Sequence, residues 1–137
     1  MSAKIGFNRE EAKSLEPLYV AHTAWVYSIV CKANGKRYIG CTRILKRRLF
    51  AHLATMEKGK HPIGDLQKDF DKFGAEQFEV ELLQITSDGL ERGAHEKEWQ
   101  IKFESYNREK GYNYKDPHFY ACKGGNRWEK RDRKNKS

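Results

Sequence analysis

Cysteine is scarce in this chain of 137 residues: Cys31, Cys41 and Cys122 cannot all pair with one another. No CxxC spacing occurs, so neither a zinc ribbon nor a thioredoxin-like motif is indicated. The expectation is three reduced thiols in a cytoplasmic protein. Long apolar runs are lacking, as is a charged, apolar, small leader, so neither a membrane span nor a secretory signal is expected. Acidic residues are the scarcer charge, 19 against 27 Lys and Arg, for a net charge of +8 and a pI near 9.4. Such a balance favours polyanions, nucleic acid above all, with an affinity that falls as salt is added. The plainer reading, a basic surface kept for solubility, stands beside it. No internal repeat is visible. The length fits one domain that buries a core without disulfides or metal.

Residues 1–24 are mixed in character. Asn8 is placed to cap a short helix through Leu15, with Pro17 as its stop, and the segment reads as an N-terminal extension. Residues 25–31 and 36–41 are rich in β-branched and aromatic side chains, and Asn34-Gly35 between them is a hairpin signal. A two-residue loop would set Cys31 opposite Tyr38. Tyr27, Ile29, Cys31, Tyr38 and Gly40 then share one face, with the tyrosines four residues apart along the strand, roughly 13 Å at the usual rise. From Thr42, the expected N-cap, Ile44, Leu45, Leu49, Leu53 and Met56 recur at helical spacing until Gly59. A second helix is expected over 62–73, with Gly74 just past its end, and a half-buried strand over 78–82. A third helix is expected over 88–105, with Leu90, Ala94, Trp99 and Phe103 turned to the core and Gly93 delaying its start. Past Gly124-Gly125, the tail 126–137 carries Arg127, Lys130, Arg131 and Arg133 around Trp128. It is a candidate to order on nucleic acid, with stacking by the indole, or else an inert solubilising tail.

Several polar residues are placed for chemistry. Arg48 and His52 stand four apart on one face of the first long helix, beside its apolar stripe, while Arg47 points elsewhere. A guanidinium offers paired donors to a phosphate and stays charged. Glu91, Glu96 and Glu98 lie on the third helix, and a carboxylate suits a hard divalent ion. Any one of these could equally be surface decoration, and Asn113 a turn residue.

Taken together, Val26-Tyr27, Tyr38-Ile39-Gly40, Arg48 (eight residues after that glycine), Glu96 (three before Trp99) and Gly111-Tyr112-Asn113 resemble the GIY-YIG nuclease family. Glu57-Lys58-Gly59, His61 and the run Leu66-Gln67 to Phe78 resemble the catalytic domains of phage-type homing endonucleases in particular. The likeness spans about residues 25–113, leaving 116–137 as a basic tail. It departs from the pattern at Trp25, which replaces the usual glycine, and in two residues inserted before Gly111.

The resemblance implies an α+β fold: a small, mainly antiparallel three-stranded sheet, opening on a hairpin and flanked by about three helices. It implies metal-dependent hydrolysis of DNA, with Mg²⁺ or Mn²⁺ on Glu96. The implied catalytic set is Tyr27 as proton acceptor, Tyr38, Arg48, His52, Glu96 and Asn113. Lys36, Arg47, His61 and the tail residues Arg127, Trp128, Lys130, Arg131 and Arg133 would bind the nucleic acid. The partner is DNA, with no membrane and no small-molecule cofactor, engaged by a monomer or a transient dimer. The competing expectations are a non-catalytic nucleic-acid-binding module and a repair or junction nuclease of the same fold.

Overall fold

The computed structural model describes residues 3–15, 22–87 and 89–113. Four strands, β1 (Ala3–Gly6), β2 (Thr23–Cys31), β3 (Arg37–Thr42) and β4 (Phe78–Ser87), form one antiparallel sheet in the order β1-β4-β2-β3. Four helices accompany it: α1 (Arg9–Lys13), α2 (Leu45–Glu57), α3 (Gly64–Phe73) and α4 (Leu90–Phe103). The mixed α+β class expected from sequence holds. The sheet has a fourth strand, because Ala3–Gly6 adds itself to the outer edge of β4.

The hairpin register differs from expectation. Tyr38 faces Ile29, and Tyr27 faces Gly40. The loop is Lys32–Gly35, four residues rather than two, closed by Gly35 N–H donating to Cys31 O at 2.7 Å and Cys31 N–H to Lys36 O at 2.9 Å. Only Gly35 takes a positive φ, at 78°, whereas a type I′ turn needs two. The shift is by an even count, so the same residues still share a face, as period-two alternation requires. It also brings the tyrosines close: their ring centroids are 6.3 Å apart.

The two faces of the sheet carry separate apolar clusters. Tyr27, Ile29 and Cys31 pack with Leu49, Leu53 and Met56 of α2, Leu66 of α3 and Phe7 from the N-terminal segment. Val26, Ile39 and Cys41 face the other way, against Trp99 and Phe103 of α4. Arg37 ties this second face together. Its guanidinium donates to Glu81 Oε1 at 2.8 Å and lies 4.0 Å over the Phe103 ring.

Other boundaries moved for local reasons. Asn8 caps α1 as expected, accepting from Glu11 N–H at 2.8 Å. Thr42 does not cap α2: Ile44 holds that position, and the Thr42 hydroxyl closes a small turn on the Ile44 main chain instead. β4 continues past Leu82 to Ser87, pairing with β2 beyond a bulge at Val26/Tyr27. α4 starts at Leu90 in spite of Gly93, which is buried; packing against the sheet outweighs a propensity penalty of roughly 1 kcal/mol.

Candidate active site

The site lies at β3, the edge strand, where side chains from helices on both faces of the sheet can meet. β3 supplies Tyr38 and β2 supplies Tyr27. The close approach of Tyr27 is possible because its cross-strand partner is Gly40. A Cβ there would meet the Tyr27 hydroxyl at 2.7 Å and its ring at 2.8 Å. α2 contributes His52 on its buried stripe and Arg48 one turn earlier, at the exposed rim. From the other face, α4 reaches the same edge through Gln100, whose amide donates to Ile39 O at 3.4 Å. Glu96 is one turn before Gln100 on the same stripe.

Electrostatic interactions link these groups. Burial pushes the Tyr38 phenol up to about 12; Glu96 adds to the rise, while Arg48 and a hydrogen-bonding Tyr27 hydroxyl draw it down. Burial raises Tyr27 well above the ordinary value, the charge of Tyr38 adds to this, and Arg48 opposes it. Burial raises the Glu96 carboxyl to about 7 against the pull of Arg92 and Arg48. Tyr27, Tyr38, Arg48 and Glu96 are therefore near enough for their charges to act on one another.

Behind the phenols lies a buried histidine pair. Tyr27 Oη is 2.9 Å from His52 Nε2, and His52 Nδ1 is 2.9 Å from His61 Nε2. The imidazoles stack, with centroids 5.1 Å apart and planes at 20°. Burial, with His61 and Arg48 adding to it, lowers His52 to about 3, and burial lowers His61 as well. Both rings are neutral at physiological pH. The sequence placed His61 on the DNA-facing surface; it is 7% exposed and sits inside, behind His52. Tyr27 likewise is wholly enclosed, so its hydroxyl meets His52 rather than bulk solvent.

Asn113 finishes the edge strand. Ile39 N–H donates to its Oδ1 at 2.9 Å, and its Nδ2 donates to Ile39 O at 3.0 Å. The side-chain amide thus stands in for a neighbouring strand's peptide. Gly111 pairs with Arg37 just upstream; a Cβ on Gly111 would meet the Ser105 main chain at 2.3 Å, so only glycine fits. Lys36 lies 5.9 Å over the Tyr112 ring, and Arg47 is exposed on α2. Arg127, Trp128, Lys130, Arg131 and Arg133 lie outside the described residues. Sequence reasoning missed Gln67, which is buried and holds the His61 main chain. Its signal was a polar residue on the apolar side of α3.

The donor set accommodates a hard divalent cation. Glu96 is half-buried, and none of the hydrogen bonds found among the described residues goes to its carboxylate. Among the described residues no three His, Cys, Asp or Glu gather as a cage. One carboxylate matches Mg²⁺, which keeps several waters and uses one or two carboxylates beside phosphate oxygens.

The profile of the GIY-YIG catalytic domain matches residues 23–113, and the chain belongs to that family as an endonuclease. Two solved structures resemble it. One is the catalytic domain of intron endonuclease I-TevI in a mutant form, at 27% identity and TM-score 0.61, over 69% of this chain and 95% of that one. The other is the catalytic domain of homing endonuclease I-TevI, at 29% identity and TM-score 0.61, over 68% and 99%. No curated protein matches. Nucleases of this family depend on a metal ion. Among the described residues, no helix is long and apolar enough to cross a membrane.

Proposed function

We propose that this domain hydrolyses phosphodiester bonds of DNA with one Mg²⁺ or Mn²⁺ ion held by Glu96, as a homing-type endonuclease. The observation that carries this reading is the convergence of Tyr38, Arg48 and Glu96 at the β3 edge. When bound, the cation supplies Lewis-acid stabilisation of charge on the phosphoryl and leaving oxygens. Arg48, exposed at the rim, grips the scissile phosphate with paired donors and offsets charge developing in the transition state. Tyr38 is the phenol within reach of the surface. Arg48 and the bound cation would favour loss of the Tyr38 proton to solvent; the phenolate then orients the attacking water and takes up its proton, while the 3′ oxygen leaves and is protonated from solvent. In this reading the proton-accepting role expected of Tyr27 passes to Tyr38, supported by the burial of Tyr27 behind it. Asn113 holds the strand that carries Tyr38. Lys36, Arg47 and the basic tail bind the DNA backbone. Buried Cys31 and Cys41, neither of them in a disulfide, suit a reducing, cytoplasmic setting. With one site per chain, a double-strand break takes two molecules or two successive nicks.

Supercoiled plasmid with Mg²⁺ or Mn²⁺ is the test. Wild type converts it to relaxed and then linear product, and Arg48→Ala and Glu96→Ala slow this at least about a hundredfold. Cleavage by Glu96→Ala at the wild-type rate refutes the assignment. Linear, nicked and branched substrates compared side by side separate a homing role from a repair or junction role.

A further inference from the structure

The buried histidine pair has a direction, because one of its contacts can run only one way. The Ile63 main-chain N–H is a donor and nothing else, and it lies 3.1 Å from His61 Nδ1. That nitrogen therefore bears no proton, and the neutral ring carries its hydrogen on Nε2. The 2.9 Å contact to His52 Nδ1 then runs from His61 to His52. The same logic passes on: His52 Nδ1 accepts, so His52 holds its hydrogen on Nε2 and donates it to the Tyr27 oxygen at 2.9 Å. The Tyr27 proton is left to turn outward, where Tyr38 is the adjoining phenol. One backbone amide thus sets the sense of every link behind the site.

Gln67 keeps that amide and His61 in register. Its Oε1 accepts from His61 N–H at 3.0 Å, and its Nε2 donates to Met56 O at 3.1 Å and to Asp71 Oδ1 at 3.0 Å. One buried side chain therefore pins the turn between α2 and α3 to the ends of both helices.

We infer that Gln67 is a positioning residue of the active site: it holds His61 and His52 as Nε2–H tautomers, so that the array behind Tyr27 presents a donor, not an acceptor, to Tyr38. A donor aimed at the Tyr38 oxygen orients that phenol and supports negative charge gathering on it. His52 is then a giver of a hydrogen bond to Tyr27, and does not draw a proton out of it. This inference rests on the nuclease reading for its consequence, but the tautomers are a property of the resting protein.

The test is a long-range ¹⁵N–¹H correlation spectrum of the histidine side chains at neutral pH, recorded on the full chain. The expected result is Nε2–H for both His52 and His61. His52 found as Nδ1–H overturns the inference without any variant being made. Gln67→Met removes all three hydrogen bonds at similar volume. It is expected to give mixed tautomers at His61 and His52 and to lower kcat for plasmid nicking about tenfold to a hundredfold, with KM for DNA unchanged. A folded Gln67→Met protein with the wild-type tautomers removes Gln67 from this role. Wild-type tautomers as expected, with no metal-dependent cleavage of any DNA, would sink the nuclease reading and leave the tautomer assignment standing.

Discussion

The histidine pair and Glu96 act on the protein in opposite directions as pH changes. Burial lowers His52 to about 3 and also lowers His61. The folded state excludes protons that the unfolded chain accepts near 6.5, so their contribution is present above about pH 6.5 and is lost as pH falls. Thermal melts between pH 4 and 7 should show Tm falling with acid, with a shallower fall in His52→Leu. Glu96 has the other sign: its folded value, about 7, lies above that of the unfolded chain, so the metal-free protein loses stability as pH rises towards 7. A cation bound to Glu96, as proposed above, would displace that proton. Calorimetric titration with Mn²⁺ should show affinity rising about tenfold per pH unit below 7 and levelling above it, with no binding by Glu96→Ala. The types and spacing of Tyr38, Arg48 and Glu96 were legible in the sequence through their likeness to the GIY-YIG pattern. The interior place of His61 was not, since a histidine after a glycine turn looks the same in sequence whether its ring faces water or a second imidazole.

At the level of elements, the hairpin shows what local signals do and do not determine. Asn34-Gly35 announced a turn, and strand alternation put both tyrosines on one face, but loop length is decided by the whole hairpin. The structure adds two residues, and that difference brings two distant phenols into ring contact. Gly40 is the price of that contact; Gly40→Ala should displace the Tyr27 hydroxyl, lower Tm and reduce cleavage, all readable from melts and plasmid assays. The N-terminal segment was the least legible part. Asn8 signalled its helix, while four residues, Ala3–Gly6, gave too short a pattern to declare a strand. Tertiary pairing makes it one: β1 covers β4, and Phe7 is 1% exposed with its ring against Phe70 and Phe78. Phe7→Ala is expected to destabilise by about 3–5 kcal/mol in urea denaturation, although this residue precedes the span matched by the family profile.

For the whole molecule, the decisive quantity is an excess of eight positive charges. Binding to duplex DNA should weaken steeply as salt is raised, which fluorescence anisotropy in metal-free buffer reads directly. Arg48→Ala should make that slope shallower by about one counterion if it grips a phosphate. Charge was fully legible in the sequence; the way the sheet ends was not. A strand without a neighbour normally invites another chain to zip onto its open ladder. Beside Tyr38 that ladder is sealed by a short downstream run, Gly111 on Arg37 and the carboxamide of Asn113 on Ile39. Trimming the polypeptide just beyond α4 would spare Tyr38, Arg48 and Glu96 yet bare the main chain alongside them. Such a fragment should self-associate, visible as growth in light scattering, before it forfeits a single reactive group: the sealing residues make a cutting edge that is also safe from sticking to its own kind.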